Sequence, residues 1–294
     1  MSARPPYLER LAARSLATGS LLCLGLDPDP AALPDGFSAD LRGLEAFVRL
    51  VIEAAAPYAA AVKPNLAFFE AFGSAGLAAL ERLRATLPAD LPVIADWKRG
   101  DIGTTAARQA VALYDELGAD AVTANPYLGS EAIGALIERS DRFVYVLCRT
   151  SNPGASELQG LLVAADRAAG IPAEPLYARV ARRAASWGPG GTVGLVVGAT
   201  APTELAEIRR VAPGLAFLVP GVGAQGGEIE PVLADGPATA PPAGGRPGGG
   251  LLVNVSRGIA GAATGPAPVG TPVDPGERIR VAARRWAAAM PVLP

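Results

Sequence analysis

"LPVIADWKRGDIGTTA", residues 91–106, passes from an apolar run through four charges in six positions into a helix-like segment. A charged turn on its own is usually a solvated connection. The same pattern, however, recurs along the whole chain. Apolar runs ending in polar or Gly-rich punctuation stand at 21–27, 59–65, 92–98, 120–127, 143–151, 192–200, 216–223 and 251–258. Between them lie stretches with helical periodicity, such as "LRGLEAFVRLVIEAAAP" (41–57), "AGLAALERLRATL" (75–87) and "APTELAEIRRVA" (201–212). Near-continuously apolar strands alternating with helices predict a closed parallel (β/α)8 barrel of the TIM type, with residues 1–294 as one α/β domain. An open doubly wound sheet is the alternative. It is weakened by the lack of a G-x-G-x-x-G turn after the first strand.

Composition narrows the chemistry. The chain of 294 residues is 50% hydrophobic with a net charge of −2, which offers no electrostatic footprint for nucleic acid or an anionic membrane. The N-terminus lacks the apolar core of a signal peptide, and no run approaches the ~18 apolar residues of a spanning helix. A soluble, cytoplasmic protein is expected. There is no histidine, so Ser-His and Cys-His pairs, imidazole bases and His metal ligands are excluded. Cys23 and Cys148 each sit in a strand-like run and are expected to pack in the core. Of 26 basic residues only Lys63 and Lys98 are lysine, and both end apolar runs. A lysine ammonium is compact and can give up its proton, which arginine cannot.

In a barrel of this kind the active site lies at the C-terminal ends of the strands. The polar residues at those ends are Asp27, Lys63 with Asn65, Asp96 with Lys98, Asn125, Thr150 with Ser151, Gln225 and Arg257. Residues two apart share a face of a strand. Ile94, Asp96 and Lys98 therefore point into the barrel mouth if Trp97 packs outward under the helices. Asp101 follows in the next turn, and a lysine between two carboxylates keeps its ammonium form. The Gly-rich "PGVGAQGG" (220–227) and "VSRGIAG" (255–261) follow strands seven and eight, a common phosphate position in such barrels. Small residues let backbone N–H groups approach phosphate oxygens, and Arg257 adds a charged donor fork. Gln225 is placed to bond the phosphate or a ring carbonyl. The tract 236–250, "GPATAPPAGGRPGGG", is read as a flexible loop on the opposite, stability face. The tract 261–276 lies on the side of the site and has no assigned role.

Taken together, "GLDPDP", "VKPNLAFFE", "DWKRGDIGTTA", "TSNPGA", "PGVGAQGG" and "VNVSRGI" make the chain resemble the orotidine 5′-phosphate decarboxylases, in particular the bacterial subgroup with a D-x-K-R-G-D-I signature. Trp97 departs from that pattern, where a small residue is usual. The resemblance implies decarboxylation of orotidine 5′-phosphate to UMP and CO2, the last step of de novo UMP synthesis, without metal or cofactor. It implies that Lys98 stabilises the C6 carbanion and protonates it, held by Asp96 and Asp101, with Lys63 extending the network. Asp27 and Lys63 would bind ribose hydroxyls, and Ser151 and Gln225 the pyrimidine. Gln225 and Arg257 would take the phosphate. Asn65, Thr105, Pro220 and Ser256 complete the substrate-binding set. The resemblance also implies a homodimer in which Asp101 and Thr105 cross the interface. A magnesium-dependent sugar-phosphate lyase, a Schiff-base aldolase and a non-catalytic phosphate-binding barrel are the competing readings.

Overall fold

The computed structural model describes residues 4–264 and 274–292, so most of the tract 261–276 lies outside the described residues. Each of the eight apolar runs forms a strand. They are β1 (Leu22–Leu26), β2 (Ala61–Pro64), β3 (Ile94–Arg99), β4 (Ala121–Ala124), β5 (Phe143–Arg149), β6 (Val193–Val197), β7 (Ala216–Pro220) and β8 (Leu252–Val255). They pair in parallel in the order β2-β1-β8-β7-β6-β5-β4-β3. Parallel bridges between Val62 and Val93 and between Asn65 and Asp96 join the two ends of that ladder. The sheet thus closes on itself, and a doubly wound sheet, which would keep two edges, is excluded.

Helices of seven residues or more flank the strands: α1 (Tyr7–Thr18), α2 (Leu41–Ala55), α3 (Gly73–Arg84), α4 (Gly103–Ala110), α5 (Leu176–Ala184), α6 (Pro202–Val211), α7 (Ile229–Asp235) and α8 (Pro275–Ala289). Asp40 and Asp274 cap α2 and α8, accepting from the backbone N–H of Gly43 and Glu277, as short acidic side chains do at orphan N-terminal donors. The two-residue period of the strands divides their side chains between two cores. Outward residues such as Val62, Ala95, Val122, Val146, Leu195, Phe217 and Val253 pack against the helices. Trp97 belongs to this outer layer and is 9% exposed, which leaves its neighbours Asp96 and Lys98 to face the barrel axis. Inward residues Ala61, Ile94, Ala121, Phe143, Tyr145 and Leu252 fill the barrel.

Helix α1 closes the N-terminal end. Tyr7 is fully buried, stacks on Phe143 at 4.8 Å between centroids, and shares a hydrogen bond of 3.2 Å with the Tyr145 hydroxyl. Arg10 anchors the same helix to the buried Asp120 at 2.7 Å. Beside it lies the tract 236–250, and here the structure corrects the expectation of a loose loop. Ala238, Ala243 and Gly248–Gly250 are buried. Ala238 donates to Gly249 O (3.0 Å), Thr239 to Pro213 O (2.9 Å) and Ala243 to Gly214 O (3.1 Å). The small residues serve close approach: a Cβ on Gly214 would stand 2.1 Å from Pro241 O, and one on Gly250 2.8 Å from Ala216 Cβ. Glycine abundance reads as flexibility in a sequence, but it equally permits backbone to lie against backbone. The tract does lie at the end of the barrel opposite the strand exits. Both cysteines are buried and free.

Candidate active site

A cavity of about 970 Å³ opens at the C-terminal ends of the strands. Its floor is divided by strand order. Lys63 (β2), Asp96 (β3) and Thr123 (β4) form a charged and polar side, while Leu147 (β5), Val196 (β6) and Leu218 (β7) form an apolar wall across the barrel. Asn254 and Ser256 from β8 and its exit complete the ring. β1 contributes Gly25, because a Cβ there would stand 2.7 Å from Ser256 Cβ and 3.1 Å from both Asp27 Oδ2 and Asn254 Oδ1.

Asp96 is the hub. One carboxylate oxygen accepts from Lys63 Nζ, and the other accepts from Lys98 Nζ at 2.5 Å and from the Thr123 hydroxyl at 2.9 Å. Burial pushes the Asp96 carboxyl toward its neutral form, but the two ammonium groups outweigh that and hold its pKa well below the usual carboxylate range. Burial likewise opposes the charge on Lys63, whose side chain is 6% exposed. Asp96 and Asp27 more than offset it and raise the Lys63 pKa above the ordinary lysine value. Lys98 differs in placement: its side chain is 48% exposed and stands at the rim of the charged side. Asp27 is tied to the next strand exit by Asn65, whose amide donates to Asp27 Oδ1 at 2.9 Å. Asn65 also caps the helix Leu66–Glu70 by accepting from Ala67 N–H.

The opposite rim carries the phosphate candidates. Pro220, Gln225 and Arg257 line the cavity, and Arg257 has no acidic partner among the described residues. Gly221 takes φ 101°, and the loop is closed on itself by Gly223 N–H to Gly227 O (3.0 Å) and Gly227 N–H to Gly221 O (3.0 Å). Trp286 of α8 braces both loops. Its indole N–H donates to Gly258 O at 3.0 Å, and its ring would meet a Cβ on Gly223 at 2.8 Å. Ser151 lines the cavity between these loops, and Thr150 beside it is held by Gln159 (2.8 Å).

Of the twelve site residues expected from sequence, ten line this cavity: Asp27, Lys63, Asn65, Asp96, Lys98, Ser151, Pro220, Gln225, Ser256 and Arg257. Asp101 and Thr105 do not line it. The Asp101 carboxylate accepts from the N–H of Ile102 (2.8 Å), and Thr105 is exposed on α4. Asn125 also stays outside, accepting from Tyr127 N–H in its own turn. Thr123 and Asn254 were missed, although the alternation that put Asp96 inward does the same for Thr123 in Ala121-x-Thr123 and for Asn254 in Leu252-x-Asn254.

A family model described as Orotidine 5′-phosphate decarboxylase / HUMPS family matches residues 20–269. The chain belongs to this family. Among curated relatives, the orotidine 5′-phosphate decarboxylase of Thermomicrobium roseum is 48% identical over 256 residues, covering 86% of each chain. Among solved structures, a putative orotidine-monophosphate decarboxylase from Toxoplasma gondii superposes with a TM-score of 0.80 at 36% identity, covering 96% of this chain and 93% of that one. UMP synthase of Leishmania donovani gives 0.79 at 40% identity; the match covers 97% of this chain and only 55% of the synthase. In this decarboxylase-family barrel, the Lys63–Asp96–Lys98 chain sits where strands β2 and β3 deliver their last inward side chains. No described helix is long and apolar enough to cross a membrane.

Proposed function

We propose that the chain decarboxylates orotidine 5′-phosphate to UMP and CO2, using its own side chains without a metal or cofactor. The observation that carries this reading is the continuous ion-paired chain Lys63–Asp96–Lys98, running from the floor to the rim of the cavity in a member of this family. Breaking the bond from C6 to the carboxylate leaves an electron pair in the plane of the pyrimidine, where the ring π system cannot delocalise it. A fixed charge in a site closed to water then supplies the stabilisation. The Lys98 ammonium fills that role and passes a proton to C6 as CO2 leaves. Asp96 orients Lys98 and crowds the substrate carboxylate, which favours its loss. Lys63 keeps Asp96 ionised and, with Asp27 and Asn65, binds the ribose. Ser151 and Gln225 read the pyrimidine; Gln225 and Arg257 hold the phosphate. Binding at that remote end stabilises closure over the reacting centre.

The working unit in this reading is a cytoplasmic homodimer. Asp101 and Thr105, which lie outside their own chain's cavity, reach the partner's site. Loss of the orotate absorbance with the purified chain is the direct test, and it should persist in the presence of a chelator. Lys98→Arg keeps the charge but not the transferable proton. Its turnover should fall by about a thousandfold or more while UMP still binds. Near-normal turnover in that variant would remove Lys98 as proton donor.

A further inference from the structure

We propose that Thr123 is a positioning residue for this site: its hydroxyl builds the backbone bulge that carries Lys98 to Asp96. The inference rests on the decarboxylase reading for its kinetic consequence, but its geometry stands by itself. β3 and β4 pair in regular register through Ile94–Ala121 and Ala95–Val122, and pairing resumes only at Arg99–Ala124. Four steps along β3 therefore oppose two along β4, and Asp96, Trp97 and Lys98 bow out of the ladder between them. A bulge of this kind leaves backbone donors without ladder acceptors. Here the donors are Trp97 N–H and Lys98 N–H, and both go to one atom, Thr123 Oγ, at 2.9 and 3.1 Å.

A hydroxyl has one donor and two acceptor sites, and this one uses all three. Its proton goes to Asp96 Oδ1 at 2.9 Å, the oxygen that also accepts from Lys98 Nζ. Thr123 thus grips Lys98 twice, at its backbone and through Asp96 at its ammonium. The grip is needed because Lys98 takes φ 54°, the left-handed region that non-glycine residues rarely adopt. It is the only non-glycine residue to do so among the described residues. Such a conformation persists where its surroundings over-determine it. Thr123 is 1% exposed, so water cannot replace the hydroxyl, and its β-branch restricts the rotamer. Valine has nearly the same shape but would leave the buried Trp97 N–H and the part-buried Lys98 N–H without this acceptor.

Three variants and two readouts test this. Thr123→Val should lower kcat by at least about tenfold with KM changed less than about threefold, because substrate-binding residues on the other strands are untouched. Thr123→Ser, which keeps the hydroxyl, should stay within about threefold of the parent in both constants. The second readout needs no activity. With Lys63 and Lys98 the only lysines, protein labelled with 15N-lysine gives two lysine backbone amide signals, and Lys98→Arg identifies which belongs to Lys98. In Thr123→Val the Lys98 amide should move strongly, the Lys63 amide little, and in Thr123→Ser neither. A smaller fall in kcat for Thr123→Val, an unmoved Lys98 amide, or a Ser variant as impaired as the Val variant overturns the proposal. Should Thr123→Val not fold, the Ser variant alone decides it in both readouts. A parent chain inactive on orotidine 5′-phosphate refutes the decarboxylase reading, and the amide signals still judge the bulge.

Discussion

At Asp96 a single carboxylate serves two ammonium groups that differ sharply in surroundings, one buried and one at the rim. Removing its charge by Asp96→Asn leaves Lys63 enclosed beside Asp27 without its principal partner. Breaking a buried pair from one side costs about 3–5 kcal/mol, so a large fall in urea midpoint at pH 7 is expected, together with loss of turnover. The pH dependence gives a sharper check. In the parent the folded pKa of Lys63 is raised. The stability this contributes is fully present below the unfolded lysine value of about 10.4 and fades as pH climbs through the folded value. In the variant burial dominates and favours the neutral amine, so stability rises as Lys63 loses its proton. The gap between parent and variant should therefore narrow from pH 7 to pH 10. A gap that stays constant would mean Lys63 is not the group left stranded. Lys98 reaches the cavity out of a bulge that breaks the two-residue period, so only the inward direction of Asp96 was legible from alternation with Trp97. The positive φ of Lys98 was not, since nothing in the residue type announces it and its cause, Thr123, lies on the neighbouring strand.

Among the elements, the connections divide into those that form the mouth and those that seal the base. The loops after β7 and β8 form the mouth and are braced from outside by Trp286 on α8. That partnership joins positions 28 or more residues apart and has no local signature. At the base, α1 and the tract 236–250 cover the barrel floor. Replacing residues 238–248 with a short Gly linker should lower the melting temperature by several degrees, because it uncovers apolar floor and removes ordered backbone bonds. The kcat of the folded enzyme at low temperature should be unchanged, since the mouth is built from the opposite strand ends. A large loss of kcat with unchanged melting would show that the base communicates with the site. The existence and order of the strands were readable because buried parallel strands are continuously apolar. The packing of 236–250 was not, because Gly and Pro look the same in a loose loop and in a tightly apposed one.

For the whole molecule, the residues that miss their own cavity define the assembly test. If Asp101 serves the partner's site while Lys98 serves its own, Asp101→Ala and Lys98→Ala dimers are each nearly inactive. Mixing them with subunit exchange makes about half the dimers hybrid, each with one intact site, so about a quarter of parental activity should return. No recovery despite demonstrated exchange would return Asp101 to its own chain's site. The amino-acid sequence by itself determined the eightfold alternation, the end of the barrel at which polar side chains gather around a cavity, and the residue types found there, because these depend on local periodicity and on which side chains can bear charge. Tertiary structure alone decided which of those residues meet. Closure of β2 onto β3 sets Lys63 against Asp96, and the β3–β4 register shift sends two orphan amides to Thr123. Such contacts depend on pairing between strands distant in sequence, and no local pattern encodes that register.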